Sequence, residues 1–148
     1  MHAVDWGTFE LTVAPLAAVG RRRLHGRVAY LGTIRGDGAP RVHPVTPIVS
    51  DDALYTFMEP TSPKAKDLRR DPSFTLHAGV EDNNGGEGEF AFSGQAELVT
   101  DAAERQRAVA ASSYVPAERY IVFALNVSEA VCTLYGEDGP SRTRWPSG

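Results

Sequence analysis

Between Val28 and Pro72 the chain alternates extended, apolar-rich runs with turn signals, a pattern that leaves little besides an antiparallel sheet. Two such runs flank Gly36-Asp37-Gly38. Gly and Asp tolerate the tight backbone of a hairpin turn, so these runs are expected to pair as neighbouring strands. A third extended run covers Ala53–Met58, and a short helix follows. Ser62 is a good N-cap, Pro63 suits the first helical position, and Asp71-Pro72 ends the helix. Backbone N–H groups at a helix start attract anions, and Lys64 lies in the first turn beside the Ser62 hydroxyl. This helix start is therefore a candidate phosphate cradle at the end of a sheet.

The remainder of the chain reads as strands with peripheral helices. Asp5–Leu24 carries helix-forming segments interrupted by Pro15, which is expected to start a second helix. Ser73–Val80 is strand-like, Glu81–Gly88 is polar and Gly-rich, and Glu89–Val99 returns to alternation. Asp101 and Glu104 have capping-box-like spacing at the start of a helix over Asp101–Ala111. Arg119–Asn126, Ala130–Tyr135 and Ser141–Trp145 are expected as three strands, the last two joined by Gly136-Glu137-Asp138-Gly139. Many short strands at turn-marked intervals suggest a barrel or sandwich.

Composition narrows the function classes. A chain of 148 residues has room for one real core, and no linker or repeat divides it, so residues 1–148 are expected as a single domain. The formal charge of −4 argues against nucleic acid as a partner. Cys132 alone permits neither an internal disulfide nor a multi-cysteine metal site. No apolar run approaches membrane-spanning length and no signal-peptide pattern opens the chain, so a cytoplasmic location is expected. His2, His25, His43 and His77 lack close metal-ligand pairing, and no metal site is expected. Glu81, Asp82, Glu87 and Glu89 bracket Gly85-Gly86, which suggests a flexible solvated loop, or a lid, rather than a cation site. Arg21-Arg22-Arg23 suits the negative pole at a helix end.

In the second strand Arg41 and His43 alternate with Val42 and Pro44, which places the two pairs on opposite faces. Pro44 and Pro47 cannot donate to a central ladder, so this segment belongs at an edge, a bulge or a barrel mouth. Val28, Tyr30 and Ile34 against Ala29 and Leu31 put apolar groups on both faces of the first strand, as a barrel wall that also meets a partner would require.

The order of apolar strand, Gly-Asp-Gly turn, Arg41-Val42-His43-Pro44-Val45, third strand, Ser62-x-Lys64 and Asp67-Leu68-Arg69-Arg70-Asp71-Pro72 resembles the pyridoxamine 5′-phosphate oxidase-like flavin-binding split barrels. A weaker echo lies at Arg144-Trp145. The resemblance implies a mainly β fold, an FMN-binding split β-barrel with Greek-key-like antiparallel strands and peripheral α-helices. It implies a homodimer with FMN at the interface, acting as an oxidoreductase on a small molecule. By that resemblance Arg41, His43, Val45 and Thr46 lie beside the cofactor, Phe57 and Met58 lie under it, and Ser62 and Lys64 bind its phosphate. Trp145 would approach the cofactor of the opposite subunit, and no catalytic residue is assigned, though His43 is a candidate proton donor.

The family's phosphate motif commonly reads Ser-Arg-Lys, and Pro63 takes the place of its arginine, removing a planar bidentate donor that Arg41, Lys66 or Arg69 would have to replace. The chain also lacks the longer C-terminal segment of true pyridoxamine phosphate oxidases, so vitamin B6 oxidation is not expected. Three alternatives stay open. One is a deazaflavin (coenzyme F-420) reductase using Lys64, Lys66, Arg69 and Arg70, in keeping with an Arg- and Ala-rich composition like that of high-GC bacteria. The others are a haem-binding protein with His25, His43 or His77 as axial ligand, and a non-catalytic flavin-binding protein.

Overall fold

A computed structural model describes residues 2–83 and 85–147. Two helices, α1 (Trp6–Thr12) and α2 (Ala14–Leu24), precede β1 (Ala29–Ile34), β2 (Pro40–Val45), β3 (Ile48–Val49) and β4 (Leu54–Met58). The chain continues through α3 (Pro63–Arg70), β5 (Ser73–Ala78), β6 (Glu89–Leu98), α4 (Ala102–Ala111), β7 (Ile121–Gly136) and β8 (Gly139–Trp145). Pro15 does begin a second helix, in the first turn of α2. Ser62 caps α3 by accepting from the Ala65 N–H, and Asp101 caps α4 by accepting from the Glu104 N–H.

The strands form one antiparallel sheet in the order β2-β1-β5-β6-β7-β4-β3, with β8 pairing the second half of β7. β2 and β3 are the two ends of that order, yet only Thr46 and Pro47 separate them in sequence. At roughly 3.3 Å per residue the two ends lie within about 10 Å of each other. The sheet must therefore curl until its edges meet, without closing by hydrogen bonds. This is the split barrel expected from the sequence, mainly β with helices around it. One difference is local: the second extended run is divided by Thr46-Pro47 into strands at opposite ends of the sheet.

The β3 side of the seam is covered by the end of α2. The Val49 N–H donates to His25 Nδ1 at 2.9 Å, and Arg21 Nη2 donates to the Ser50 carbonyl at 3.1 Å while also holding Glu10. The Gly26 N–H donates to the Pro47 carbonyl. The end of α2 thus satisfies backbone groups that an exposed edge would leave unpaired.

Two further expectations are corrected. Arg119–Asn126 and Ala130–Tyr135 are one continuous strand, β7, bent at an extra residue: Val127 pairs Gly94 and Glu129 pairs Ser93, leaving Ser128 over. Such a bulge bends a strand without ending it. Gly94 is required there, because a Cβ would lie 1.7 Å from the Asn126 carbonyl oxygen. Arg23, expected at the negative pole of a helix end, instead ties both ends of the Glu81–Gly88 turn. Arg23 is buried, and its guanidinium donates to the carbonyls of Gly79, Glu87 and Gly88 at 2.6–2.8 Å. Arg27 reaches Glu81 at 2.9 Å and Glu87 at 3.5 Å. Arg23 therefore lies inside the protein, whereas a role at the helix dipole alone would leave it at the surface.

β4 is buried on both faces and divides the interior. Leu54 and Met58 join the main core, where Trp6, Phe9, Phe74, Phe90 and Phe92 pack under α1 and α2. Tyr55 and Phe57 join a smaller core beneath α4 with Ile48, Ala108 and Val122. Burial pushes the Tyr55 phenol up to about 12, with Glu104 adding to the shift. Among the described residues no helix is long and apolar enough to cross a membrane.

Gly94→Ala should lower stability by about 3 kcal/mol, since the strands must part to admit the methyl group; a fall in the urea midpoint checks this. Arg23→Met should cost about 3 kcal/mol, because three carbonyls lose a buried charged donor. Limited proteolysis of that variant should cut first in the turn between β5 and β6.

Candidate functional site

β2 carries Arg41 and His43 on the face opposite Val42 and Pro44, as the alternation predicts, but its polarity runs against the ordinary rule. Val42 is 65% exposed, whereas Arg41 and His43 are half-buried beneath the strand. Polar groups are held inward only if something there satisfies them. For Arg41 that partner is Asp67 on α3, a nearly fully buried carboxylate that accepts from Arg41 Nε at 2.7 Å. The same carboxylate accepts from Thr33 Oγ1 at 2.8 Å and from Arg70 Nη2 at 3.4 Å. Thr33 and Arg41 are directly opposed in the β1–β2 register, which brings both donors onto one acceptor. Burial pushes the Asp67 carboxyl up, but the bonds from Thr33 and Arg41, the Arg41 charge and the Arg70 bond outweigh it and hold it below its usual value. Thr33 was not singled out by the sequence, and Asp67 and Arg70 entered only as part of the family motif and, for Arg70, a basic groove; an acidic residue beside Leu68 on a helix offers no signal of its β1 and β2 partners.

His43 has no such partner: its Nε2 is buried without a hydrogen bond. Burial, then the charges of Lys64 and Arg41, push its pKa below the ordinary histidine value, with Asp67 opposing. The Lys64 ammonium is likewise lowered by burial, and it makes no ion pair among the described residues. Arg41 and Lys64 thus form a cationic group around the imidazole of His43, in which one carboxylate is shared by Arg41 and Arg70. The arrangement is short of negative charge, and an anion such as a phosphate ester is the chemistry that would balance it.

The helix start itself offers less than expected. Ser62 Oγ already donates to the Glu59 carbonyl at 2.7 Å and accepts from the Ala65 N–H. Pro63 has no N–H, and the Lys66 N–H bonds the Ser62 carbonyl. Side-chain cations, rather than a row of backbone donors, dominate this end of the site.

The other candidates are dispersed. Val45 is buried against the main core and Thr46 lies at the seam. The side chains of Phe57 and Met58 are divided between the two cores, so no single bound ring can rest on both. Phe57 instead carries the Arg105 guanidinium over its face, 5.4 Å from the ring centre. Trp145 packs edge-to-face on Phe9 of its own chain with centroids 5.1 Å apart, and borders a groove with Ala91, Val131 and Arg144. Of the histidines considered for haem, His25 receives the Val49 N–H on Nδ1. His77 places Nδ1 2.7 Å from the Ala78 carbonyl and Nε2 3.5 Å from Glu89. Among the described residues no three His, Cys, Asp or Glu side chains gather as a metal site.

Solved structures share the fold. A haem-binding protein of Mycobacterium smegmatis aligns at 19% identity over 85% of this chain and 57% of its own, with a TM-score of 0.65. A protein of Listeria innocua described as a candidate pyridoxamine 5′-phosphate oxidase aligns at 18% identity over 80% of this chain and 95% of its own, with a TM-score of 0.64. PhzG of Burkholderia lata, solved with tetrahydrophenazine-1-carboxylic acid, aligns at 16% identity over 95% and 87%, with a TM-score of 0.62. At such identities the likeness carries the fold alone. No curated protein matches the chain in sequence. The family model for pyridoxamine 5′-phosphate oxidase matches residues 21–132, well over half of the chain. With the hairpin, the capped α3 and the seam between β2 and β3 all inside that span, the chain belongs to the pyridoxamine 5′-phosphate oxidase family.

Proposed function

We propose that this chain binds FMN through its phosphate and works as a flavin-dependent oxidoreductase on a small molecule, as a homodimer with the cofactor at the interface. The observation that carries the reading is the under-compensated cationic pair of Lys64 and Arg41 beside His43, whose buried Nε2 has no hydrogen-bond partner. Bound flavin supplies the hydride chemistry. The chain's residues bind and orient it: Lys64 and Arg41 offer charge to a phosphate, and His43 can take up a proton at Nε2 when an anion sits beside it. The partner surface in this reading is the outer face of β1 and β2, where Val28, Tyr30, Val42 and Pro44 are exposed together. A contiguous apolar face of this kind is the usual mark of an interface.

A haem reading draws support from His77. A carbonyl oxygen only accepts, so its Nδ1 must carry the proton in the bond to Ala78, which is how metal-ligating histidines are commonly held. The deazaflavin reading draws on Lys66 and Arg69, which are exposed on α3, the helix that also carries Lys64.

Titrating the purified protein with FMN, riboflavin, deazaflavin coenzyme and haem tests these readings together. FMN should saturate one site per chain and bind more tightly than riboflavin; preference for haem or deazaflavin would replace the chemistry, and binding of none would end the proposal. Lys64→Ala should weaken FMN about tenfold or more and leave riboflavin unchanged. Because the His43 pKa is depressed in the free protein and a bound phosphate raises it, binding takes up a proton. FMN affinity should therefore rise as pH falls from about 8 to 6. His43→Gln should flatten that slope, leaving only the phosphate's own ionisation near pH 6.

A further inference from the structure

We propose that Asp67 is the positioning residue that turns Arg41 into the bidentate phosphate donor absent at Pro63. The inference rests on the FMN reading above and adds to it how this chain makes good its missing arginine.

A carboxylate and a guanidinium can meet in two ways. If Asp67 held both terminal nitrogens of Arg41, the end-on fork would be taken up and only the Nε edge, turned back toward the strand, would remain for a ligand. Asp67 instead takes the Nε–H at 2.7 Å, and neither terminal nitrogen of Arg41 makes a hydrogen bond among the described residues. The fork is left open on a side chain 30% exposed, while its root is anchored to a carboxylate 3% exposed. Anchoring at Nε also fixes the plane of the guanidinium, so less rotamer freedom is lost when an anion binds.

Asp67 is itself held rigidly. Thr33 donates to it from β1 and Arg70 from α3, and Arg70 also bonds the Ile34 carbonyl, tying the helix to the strand. The carboxylate thus couples three elements at the point where β2 passes α3. Its charge also offsets the repulsion between the half-buried Arg41 and the more exposed Arg70, which share it.

The chemical class recognised is a phosphate monoester, and the readout is the ratio of FMN to riboflavin affinity, since riboflavin differs only in lacking the phosphate. A purely structural role would lower both affinities together and leave the ratio unmoved. Arg41→Lys keeps the charge and loses the fork; it should reduce the ratio about tenfold. Asp67→Asn removes the charge that orients Arg41 and should reduce the ratio by a similar factor. The double variant should be little worse than either alone, because the two residues act through one contact.

An unchanged ratio in Arg41→Lys overturns the proposal whether or not the Asp67 variant folds. Additive losses in the double variant overturn the positioning role. If the unaltered protein binds FMN no better than riboflavin, the FMN reading falls first, and that outcome is distinct from either.

Discussion

The link Thr46-Pro47 constrains everything around it. It joins the two terminal strands of a long antiparallel sheet within a span of about 10 Å, so the sheet has to roll up. Two consequences follow. The edges that meet cannot pair in full, because β3 has only two residues and prolines flank the seam. The α2 terminus must therefore supply Arg21 and His25 to the β3 segment. The residues that enter the seam, Arg41 and His43, also face inward beside α3, which is why a cationic group can sit partly under the sheet.

Charge within the fold is arranged by the same economy. Arg23 and Asp67 are buried and lie in different parts of the molecule, and each acts as a hub for several donors or acceptors. Arg23 gathers three carbonyls and steadies the turn after β5; Asp67 gathers three donors and joins β1, β2 and α3. A buried charge is tolerable only with such multiple partners. His43 is among the buried polar groups left without a hydrogen-bond partner, with Trp6 Nε1, Arg23 Nε and Thr56 Oγ1, and of these it is the one whose neighbour is the unpaired cation Lys64. The candidate site lies where an unpartnered imidazole nitrogen meets an unpaired ammonium, whereas Arg23 and Asp67 each hold several partners.

Much of this was legible from local chemistry. The Gly-Asp-Gly turn forms as expected, with the Gly38 N–H bonding the Arg35 carbonyl and the Arg35 N–H bonding the Ala39 carbonyl. Ser62, Pro63 and Asp71 bound α3 in the expected way, and the alternation of Arg41 and His43 gave their shared face. These features depend on residues within a few positions of one another. The anion cradle at α3 was legible only in outline, because whether Ser62 is free to donate depends on the Glu59 carbonyl reaching it.

The sequence by itself determined the turns, the helix caps and most of the strands, since each rests on backbone preferences that act over a few residues. Only the tertiary structure decided that β7 runs unbroken through a bulge, that Arg23 lies inside, and that β2 turns its polar side inward. It also decided that Asp67 takes Arg41 by Nε, leaving the guanidinium fork open. Those outcomes are set by residues 26 to 65 positions apart in sequence meeting across the rolled sheet. No local pattern encodes such a meeting, because its energy appears only when both partners leave water together.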